Sequence, residues 1–283
     1  MAPRSQPTAR QVRLGTELRR LREAAGLKAR EAAGLLNSTS AQMSQVEAGF
    51  AGVSEERVRR LAAHYACTDA ALIDALVAMA TDRTQGWWED FRGVLSTPFL
   101  DVAELEHHAT FLRDVVVIHV PGMLQTPDYA RAVFSYMNPG MPESELEPRV
   151  EHRMRRRAVL GGDKPTPYEA IVHEVALRIR VSDRRVAHAQ LRQMLDLSEQ
   201  NHVTVRVIPV DQDDFAGGGA AMMYLGGPVP RLDTGLRDAP VNKGPIDAEA
   251  QLQRLRTLLL KVSKASLAPA QSRDFIHRVA KEL

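Results

Sequence analysis

The chain has 283 residues, of which 44% are hydrophobic, and a formal net charge of +2. This length and composition predict a globular protein of about two domains. Because the net charge is nearly neutral, the overall charge does not indicate a nucleic-acid partner. The single cysteine, Cys67, excludes an intramolecular disulfide and a zinc site built mainly on thiolates. Because no apolar run has the length of a membrane helix, and the first ten residues lack the apolar core of a signal peptide, we expect a cytoplasmic protein with no membrane partner.

Positive charge is concentrated at the amino terminus. Among the first 30 residues the basic side chains are Arg4, Arg10, Arg13, Arg19, Arg20, Arg22, Lys28 and Arg30, against only Glu17 and Glu23. Such a local excess is suited to the neutralisation of DNA phosphates. We therefore interpret residues 1–11 as a basic arm that precedes a DNA-binding domain at residues 12–81.

Residues 26–49 have the pattern of two short helices joined by a tight polar turn, which is the layout of a helix-turn-helix DNA reader. In the first helix the small side chain of Ala33 permits a close helix crossing. Residues 37–39 form the turn, and the last of them is placed to N-cap the second helix, where Met43 and Val46 point inward. The alternative is an ordinary helical hairpin in a domain that does not bind DNA.

The exposed face of the second helix is short, polar and uncharged. Such a face is suited to the major groove, because an amide side chain donates and accepts at once against a base edge. We predict that four residues read bases: Ser40, Ala41, Gln42 and Gln45. Among these, Gln42 is the strongest candidate for a bidentate contact with adenine. We predict that four further residues contact phosphates: Lys28, Arg30, Thr39 and Ser44.

The run Met43-Ser44-Gln45-Val46-Glu47-Ala48-Gly49 is similar to the Ile-Ser-Arg-Ile-Glu-x-Gly signature of lambda-repressor-like, XRE-type helix-turn-helix domains. This resemblance implies a five-helix domain. Members of the family commonly begin the first motif helix with Thr-Gln, and that Gln binds a phosphate. Because this chain has Lys28-Ala29 there, the resemblance implies a cationic phosphate contact from Lys28 or Arg30 instead.

Beyond residue 82 the pattern changes to alternating strands and helices. Strands are predicted at residues 115–120, 168–173, 177–181, 203–210 and 221–225. Helices are predicted at residues 103–109, 184–200, 247–264 and 270–281, with a further one after the Thr126-Pro127-Asp128 start signal. Glycine and proline make residues 211–245 rich in loops, so no strand is assigned after Leu225. The predicted fold class is α + α/β, with a mixed α/β regulatory, dimerisation or partner-binding domain at residues 82–283.

Two further clusters allow alternative interpretations. The arginines between Arg149 and Arg157 form a solvated helix face paired with Glu147 and Glu151, or else a second surface for phosphates or a partner. The aromatic residues of the run 87–91 form a core wedge or a ligand cage.

The run Val120-Pro121-Gly122-Met123-Leu124-Gln125-Thr126-Pro127-Asp128-Tyr129-Ala130-Arg131-Ala132 is similar to a Pro-Gly-Leu-Leu-Gln-Thr-x-x-Tyr-Ala-Arg-Ala motif. That motif is typical of the WhiJ-type and Scr1-type antitoxin-like transcriptional regulators of actinobacteria, which join an XRE domain to an α/β domain. The resemblance implies a developmental or antitoxin-like regulator. It also implies a small protein partner encoded nearby and an effector of undefined identity.

Other kinds of site find little support in the sequence. The adjacent pair His107-His108 would diverge by about 100 degrees on a helix, which disfavours a shared metal ion. There is no nucleophile elbow and no P-loop lysine. We therefore expect no metal, no cofactor and no enzymatic activity.

The expected function is sequence-specific binding of double-stranded DNA as a homodimer, with a carboxyl-terminal domain that receives a small molecule or a small protein. The alternative is an antitoxin-like protein that sequesters a small partner and regulates its own operon.

Overall fold

The computed structural model describes residues 6–213, 215–217, 221–237 and 244–283. Contacts between Cα atoms divide the chain into two compact units, Met1–Glu89 with Leu100–Leu105, and Asp90–Phe99 with Glu106–Leu283. Residues 1–5 of the predicted basic arm and most of the predicted glycine loop at 217–219 lie outside the described residues. Residues 9–11 of that arm belong to the first helix.

The described part of the first unit contains five complete α-helices: α1 (Ala9–Ala24), α2 (Ala29–Leu35), α3 (Ser40–Glu47), α4 (Glu55–His64) and α5 (Ala70–Thr81). Four of them begin at an oxygen-bearing cap that accepts a hydrogen bond from a backbone N–H three residues later: Thr8, Thr39, Ser54 and Asp69. These caps satisfy N–H groups that have no partner inside a helix. Buried aliphatic side chains from all five helices form the core, as the predicted fold class requires.

The second unit is a sheet with helices. Its strands are β1 (Leu112–Val116), β2 (Tyr168–His173), β3 (Val203–Ile208), β4 (Met222–Leu225) and β5 (Thr234–Arg237). The remaining helices are α6 (Thr97–His107), α7 (Pro127–Met137), α8 (Glu143–Arg156), α9 (Glu174–Arg178), α10 (Arg184–Leu197), α11 (Glu249–Ala265) and α12 (Pro269–Glu282). Leu100–Leu105 of α6 belongs to the first unit.

The strand order is β3-β2-β1-β4-β5. The strand β2 is parallel to both β1 and β3, whereas β4 is antiparallel to both β1 and β5. On one face Val115 and Ile171 pack in a core with Leu252, Leu255 and other apolar residues of α11. Because side chains alternate along a strand, Asp114 and Tyr168 point to the other face. A mixed α/β domain therefore follows the helical unit, as predicted.

The structure corrects three details of the predicted elements. Residues 177–181 are not a strand, since α9 occupies Glu174–Arg178 after the His173 ring nitrogen accepts a hydrogen bond from the backbone N–H of Val175. The first strand begins and ends earlier than predicted. Val120 has left the sheet, and its backbone N–H donates to the Tyr129 hydroxyl. The strand β5 lies in the region where no strand is predicted, because its sequence contains no run of β-branched residues.

The arginines of α8 and its C-cap divide between the protein interior and the exposed surface. Arg156 is buried and makes two hydrogen bonds to the Glu106 carboxylate. Arg157 donates to the backbone carbonyls of Met123 and Gln125, and Arg153 donates to the Gln125 side chain. Glu147, predicted to pair with this run, pairs with Arg131 instead. The solvated-face interpretation is therefore wrong for Arg153, Arg156 and Arg157, which bind interior groups of the second unit. It holds for the other two arginines, since Arg149 pairs with the exposed Glu145, and Arg155 pairs with the exposed Glu151 and Asp90.

Candidate nucleic-acid interface

The turn between α2 and α3 is fixed by its own hydrogen bonds. Asn37 adopts a left-handed conformation with φ of 52°, which asparagine tolerates better than most residues. The next residue, Ser38, donates to the carbonyl oxygen of Ala33 from its backbone nitrogen at 2.9 Å and from its hydroxyl at 3.3 Å. These contacts close the end of α2 and set the direction in which α3 leaves.

A reciprocal capping box begins α3. The backbone nitrogen of Gln42 donates to the Thr39 hydroxyl at 3.2 Å, and the backbone nitrogen of Thr39 donates to Gln42 Oε1 at 3.0 Å. The cap therefore uses the acceptor of the Gln42 side chain, while its NH₂ group retains its donors. The predicted bidentate contact with adenine would require Oε1 to be shared between the cap and the base.

The structure places the predicted DNA-contacting residues on α2, α3 and their caps. Ser40, Ala41, Gln42, Ser44 and Gln45 are exposed on α3, and Thr39 is its exposed N-cap. Lys28 and Arg30 are exposed at the N-cap and in the first turn of α2. By contrast, Met43 is buried, with 2% of its surface exposed. The exposed face of α3 therefore carries hydroxyl, methyl and amide groups and no charge.

A buried ion pair that the sequence interpretation missed holds the carboxyl end of α3. The Glu47 carboxylate accepts from Arg22 Nε at 2.6 Å and from Arg22 Nη2 at 2.9 Å, and each side chain is only 8% exposed. The guanidinium also donates a 2.7 Å hydrogen bond to the carbonyl oxygen of Leu27, and its Nη2 lies 3.5 Å from the half-exposed Glu23 carboxylate. Hydrogen bonding to Glu47 raises the pKa of Arg22 above its ordinary value. One arginine of α1 thus joins α3 to the segment before α2.

Two glycines allow α1 to approach the end of α3. A Cβ atom at Gly15 would lie 2.4 Å from the carbonyl oxygen of Glu47, which is inside van der Waals contact. Gly49 has φ of 80°, and a Cβ there would lie 2.9 Å from the backbone nitrogen of Val12. The Glu-x-Gly ending of the motif therefore has a structural explanation, because its acid binds Arg22 and its glycine permits the turn.

Comparison with protein families matches both units. Residues 13–76 match a helix-turn-helix domain family. Residues 99–278 match the family described as a domain of unknown function, DUF5753. The chain belongs to the DUF5753 family. No curated protein and no solved structure matches it. The helix-turn-helix match, together with the exposed polar face of α3, indicates a DNA-binding regulator that carries a DUF5753 domain.

The described part of the DUF5753 protein also bears on membrane insertion and on metal binding. No helix there is both long enough and apolar enough to cross a membrane. The same residues contain no cluster of three or more His, Cys, Asp or Glu side chains with the geometry of a metal site.

Replacing Lys28 with alanine tests its predicted phosphate contact. A phosphate contact carries no sequence information and releases roughly one counterion, so we expect affinity to fall on all duplexes together and the salt slope to shrink by about one unit. Titrations of specific and random duplexes at several salt concentrations would measure both quantities. Arg57→Ala is a matched control for loss of an exposed cation outside the predicted site. An unchanged slope for Lys28→Ala would mean that this side chain does not contact the backbone.

Proposed function

We propose that this protein is a sequence-specific transcriptional regulator that binds double-stranded DNA as a homodimer. The observation that carries the proposal is the uncharged, hydrogen-bonding face of α3, which a buried ion pair and a capping box hold in one orientation. In this proposal Gln42 and Gln45 read base edges together with Ser40 and Ala41. Lys28 and Arg30, with the hydroxyls of Thr39 and Ser44, fix the register on phosphates.

The DUF5753 domain is proposed to receive a small molecule or a small protein, as the resemblance to WhiJ-type and Scr1-type regulators implies. Such a ligand would act by binding one arrangement of the two DNA readers more tightly than another, since a ligand shifts only an equilibrium in which its affinities differ. The motif that carries this resemblance contributes buried side chains. Gln125 and Tyr129 are 2% and 1% exposed, so these two build the domain and do not form a docking surface.

Capture of bound DNA across the genome, followed by titration of the recovered sequence with the purified chain, tests the proposal. We expect one recurrent sequence bound about 10³-fold or more above random duplex, which is the lower end for specific regulators. Equal affinity for recovered and random duplexes at physiological salt would refute sequence-specific binding. Repeating the capture with a co-expressed neighbouring protein would test the antitoxin-like alternative, which predicts that the partner changes occupancy at the protein's own operon.

Replacing Gln42 with alanine tests base readout directly. We expect specific binding to weaken by about 1–3 kcal/mol and the preference at one base pair to relax, while binding to random duplex changes little. The substitution also removes the acceptor for the Thr39 N–H, so thermal unfolding should be measured in parallel. Ser54→Ala is a matched control, because it removes a comparable cap from α4. An equal loss on specific and random duplexes would contradict the predicted role of Gln42.

A further inference from the structure

Arg153 of α8 has an unusual environment in the second unit. One of its amino groups donates to Gln125 Oε1 at 2.8 Å, and its guanidinium lies 4.5 Å from the centre of the Phe134 ring. No other hydrogen bond joins Arg153 to the described residues. A guanidinium has five N–H donors, so four of them have no partner among these residues. The side chain is half-buried, and Phe134 is buried beside it.

The carboxylates near Arg153 have other partners. Glu106 is fully buried and binds Arg156 through both oxygens. Asp114, on β1, accepts a 2.7 Å hydrogen bond from the Tyr168 hydroxyl. Both acids interact electrostatically with Arg153, yet within the described residues neither lies at ion-pair distance from it.

The result is a partly buried cation that has an amide and an aromatic ring as its close partners. Burial, and next the charge of Arg156, lower the pKa of Arg153 to about 9. Gly122 lies against the same side chain, since a Cβ there would be 3.0 Å from Arg153 Cδ and 3.4 Å from an Arg156 amino group. A planar fork of free N–H donors on a partly desolvated cation matches the geometry of an oxyanion.

We propose that Arg153 anchors a small ligand through a carboxylate or phosphate group, and that this ligand is the effector of the DUF5753 domain. Only the effector role of this ligand rests on the proposed function, because the binding site itself requires no DNA. Arg153 would bind two oxygens of the anion, with Phe134 beneath the guanidinium and Gln125 fixing its rotation. Arg156 and Arg157 support the site indirectly. They hold α8 against Glu106 and against the backbone of residues 123–125.

Binding of such an anion should depend on pH through Asp114. Burial raises the pKa of Asp114 to about 6, against the opposing effects of the Tyr168 hydrogen bond and the charges of Arg156 and Arg153. Glu106 is the second acid facing this cluster, and it is paired. His152, beside Arg153 on α8, has its pKa lowered to about 3 by burial and by the arginines, so it stays neutral above pH 5. Asp114 loses its negative charge as the pH falls below about 6, and repulsion of the anion then falls.

Calorimetric titration of the full chain with three oxyanions tests the proposal. Sulfate keeps its charge between pH 5 and pH 8 and is the probe for the pH arm. Inorganic phosphate and succinate at pH 7.5 distinguish a phosphate from a carboxylate ligand. We expect saturable binding that chloride at equal ionic strength does not reproduce, and sulfate affinity about 3-fold or more higher at pH 5 than at pH 7.5. Asp114→Asn should abolish this pH dependence.

Substitutions on α8 locate the site. Arg153→Gln should weaken oxyanion binding about 10-fold or more, and Arg153→Lys should restore it only in part because the fork is lost. Arg149→Gln, on the same helix, is the matched control and should bind like the unmodified chain. If Arg153→Gln fails to fold, the Arg153 Nε–H resonance of the folded chain, assigned from its absence in Arg153→Lys, should shift during a sulfate titration.

The outcomes separate this inference from the proposed function. Absence of saturable binding, or equal binding by Arg153→Gln and the unmodified chain, would overturn the oxyanion site even if DNA binding is normal. Oxyanion binding at Arg153 by a chain that binds no DNA would support the site and refute the regulator. A change of 2-fold or more in affinity for the recovered DNA sequence on saturation with one anion, lost in Arg153→Gln, would support the effector role. An unchanged DNA affinity would overturn that role.

Discussion

Replacing Glu47 with alanine is expected to destabilise the helix-turn-helix unit by about 3–5 kcal/mol, the cost of leaving one charge of a buried pair without its partner. The remaining guanidinium of Arg22 would keep its hydrogen bond to the Leu27 carbonyl and a 3.5 Å contact with the half-exposed Glu23. It would lose two charge-assisted hydrogen bonds in a site where it is only 8% exposed. Denaturant unfolding followed by far-ultraviolet circular dichroism would measure the loss. Because the pair joins α1 to the end of α3, we also expect DNA binding to fall on all sequences.

Glu55→Ala is the matched control for Glu47→Ala. Glu55 pairs with Arg59, four residues later on α4, but both partners of that pair are about half exposed, and exposed pairs contribute little to stability. The control should therefore unfold like the unmodified chain and bind DNA normally. If Glu47→Ala were as stable as Glu55→Ala, the buried pair would not be what holds α3. The orientation of the exposed face of α3 would then depend on apolar packing around Met43.

The helix-turn-helix could be predicted well because its signals are local. Turn residues, a capping box and helical spacing all occur within residues 26–49, and the structure places α2 and α3 there. The partner of Glu47 could not be predicted, since Arg22 lies 25 residues away and the pair forms only where α1 crosses α3. From the sequence, Arg22 is one of the amino-terminal basic residues that we expect to neutralise DNA phosphates. The structure instead uses it internally and also buries Arg13, so the charge available to DNA is smaller than the sequence indicates.

The sheet domain shows the limits of local pattern more clearly. Runs of β-branched residues predicted β2 and β3, whereas β5 is defined by its pairing with β4 and contains the sequence Thr-Gly-Leu-Arg. Arginines on a helix usually indicate solvent exposure, yet Arg156 is buried because Glu106, fifty residues away, supplies a paired charge. The side chains that frame the proposed oxyanion site come from α7, α8, β1 and the segment before α7, so no single stretch of sequence carries its pattern.

Loss of one half-site from a bound duplex is expected to weaken binding by the full chain about 10²–10⁴-fold. If the regulator is a dimer, binding of the first helix-turn-helix unit makes the second contact intramolecular, and this gain in effective concentration needs no new contacts. The experiment compares a duplex with two half-sites one helical turn apart with a duplex in which one half-site is randomised. A third duplex, with about 5 base pairs inserted between the half-sites, controls for geometry because the second site then faces the opposite side of the helix.

The three duplexes separate a dimer from two independent readers. A dimer with a fixed spacing should lose affinity on both altered duplexes, and sedimentation should give twice the chain mass at the concentrations used. Two monomers binding independently would lose at most about 2-fold, from the halved number of sites, and would tolerate the insertion. That result, with a monomeric sedimentation coefficient, would contradict the proposed homodimer. An effector of the DUF5753 domain could then act on the affinity of each reader but not on the spacing between two, because a monomer has no spacing to change.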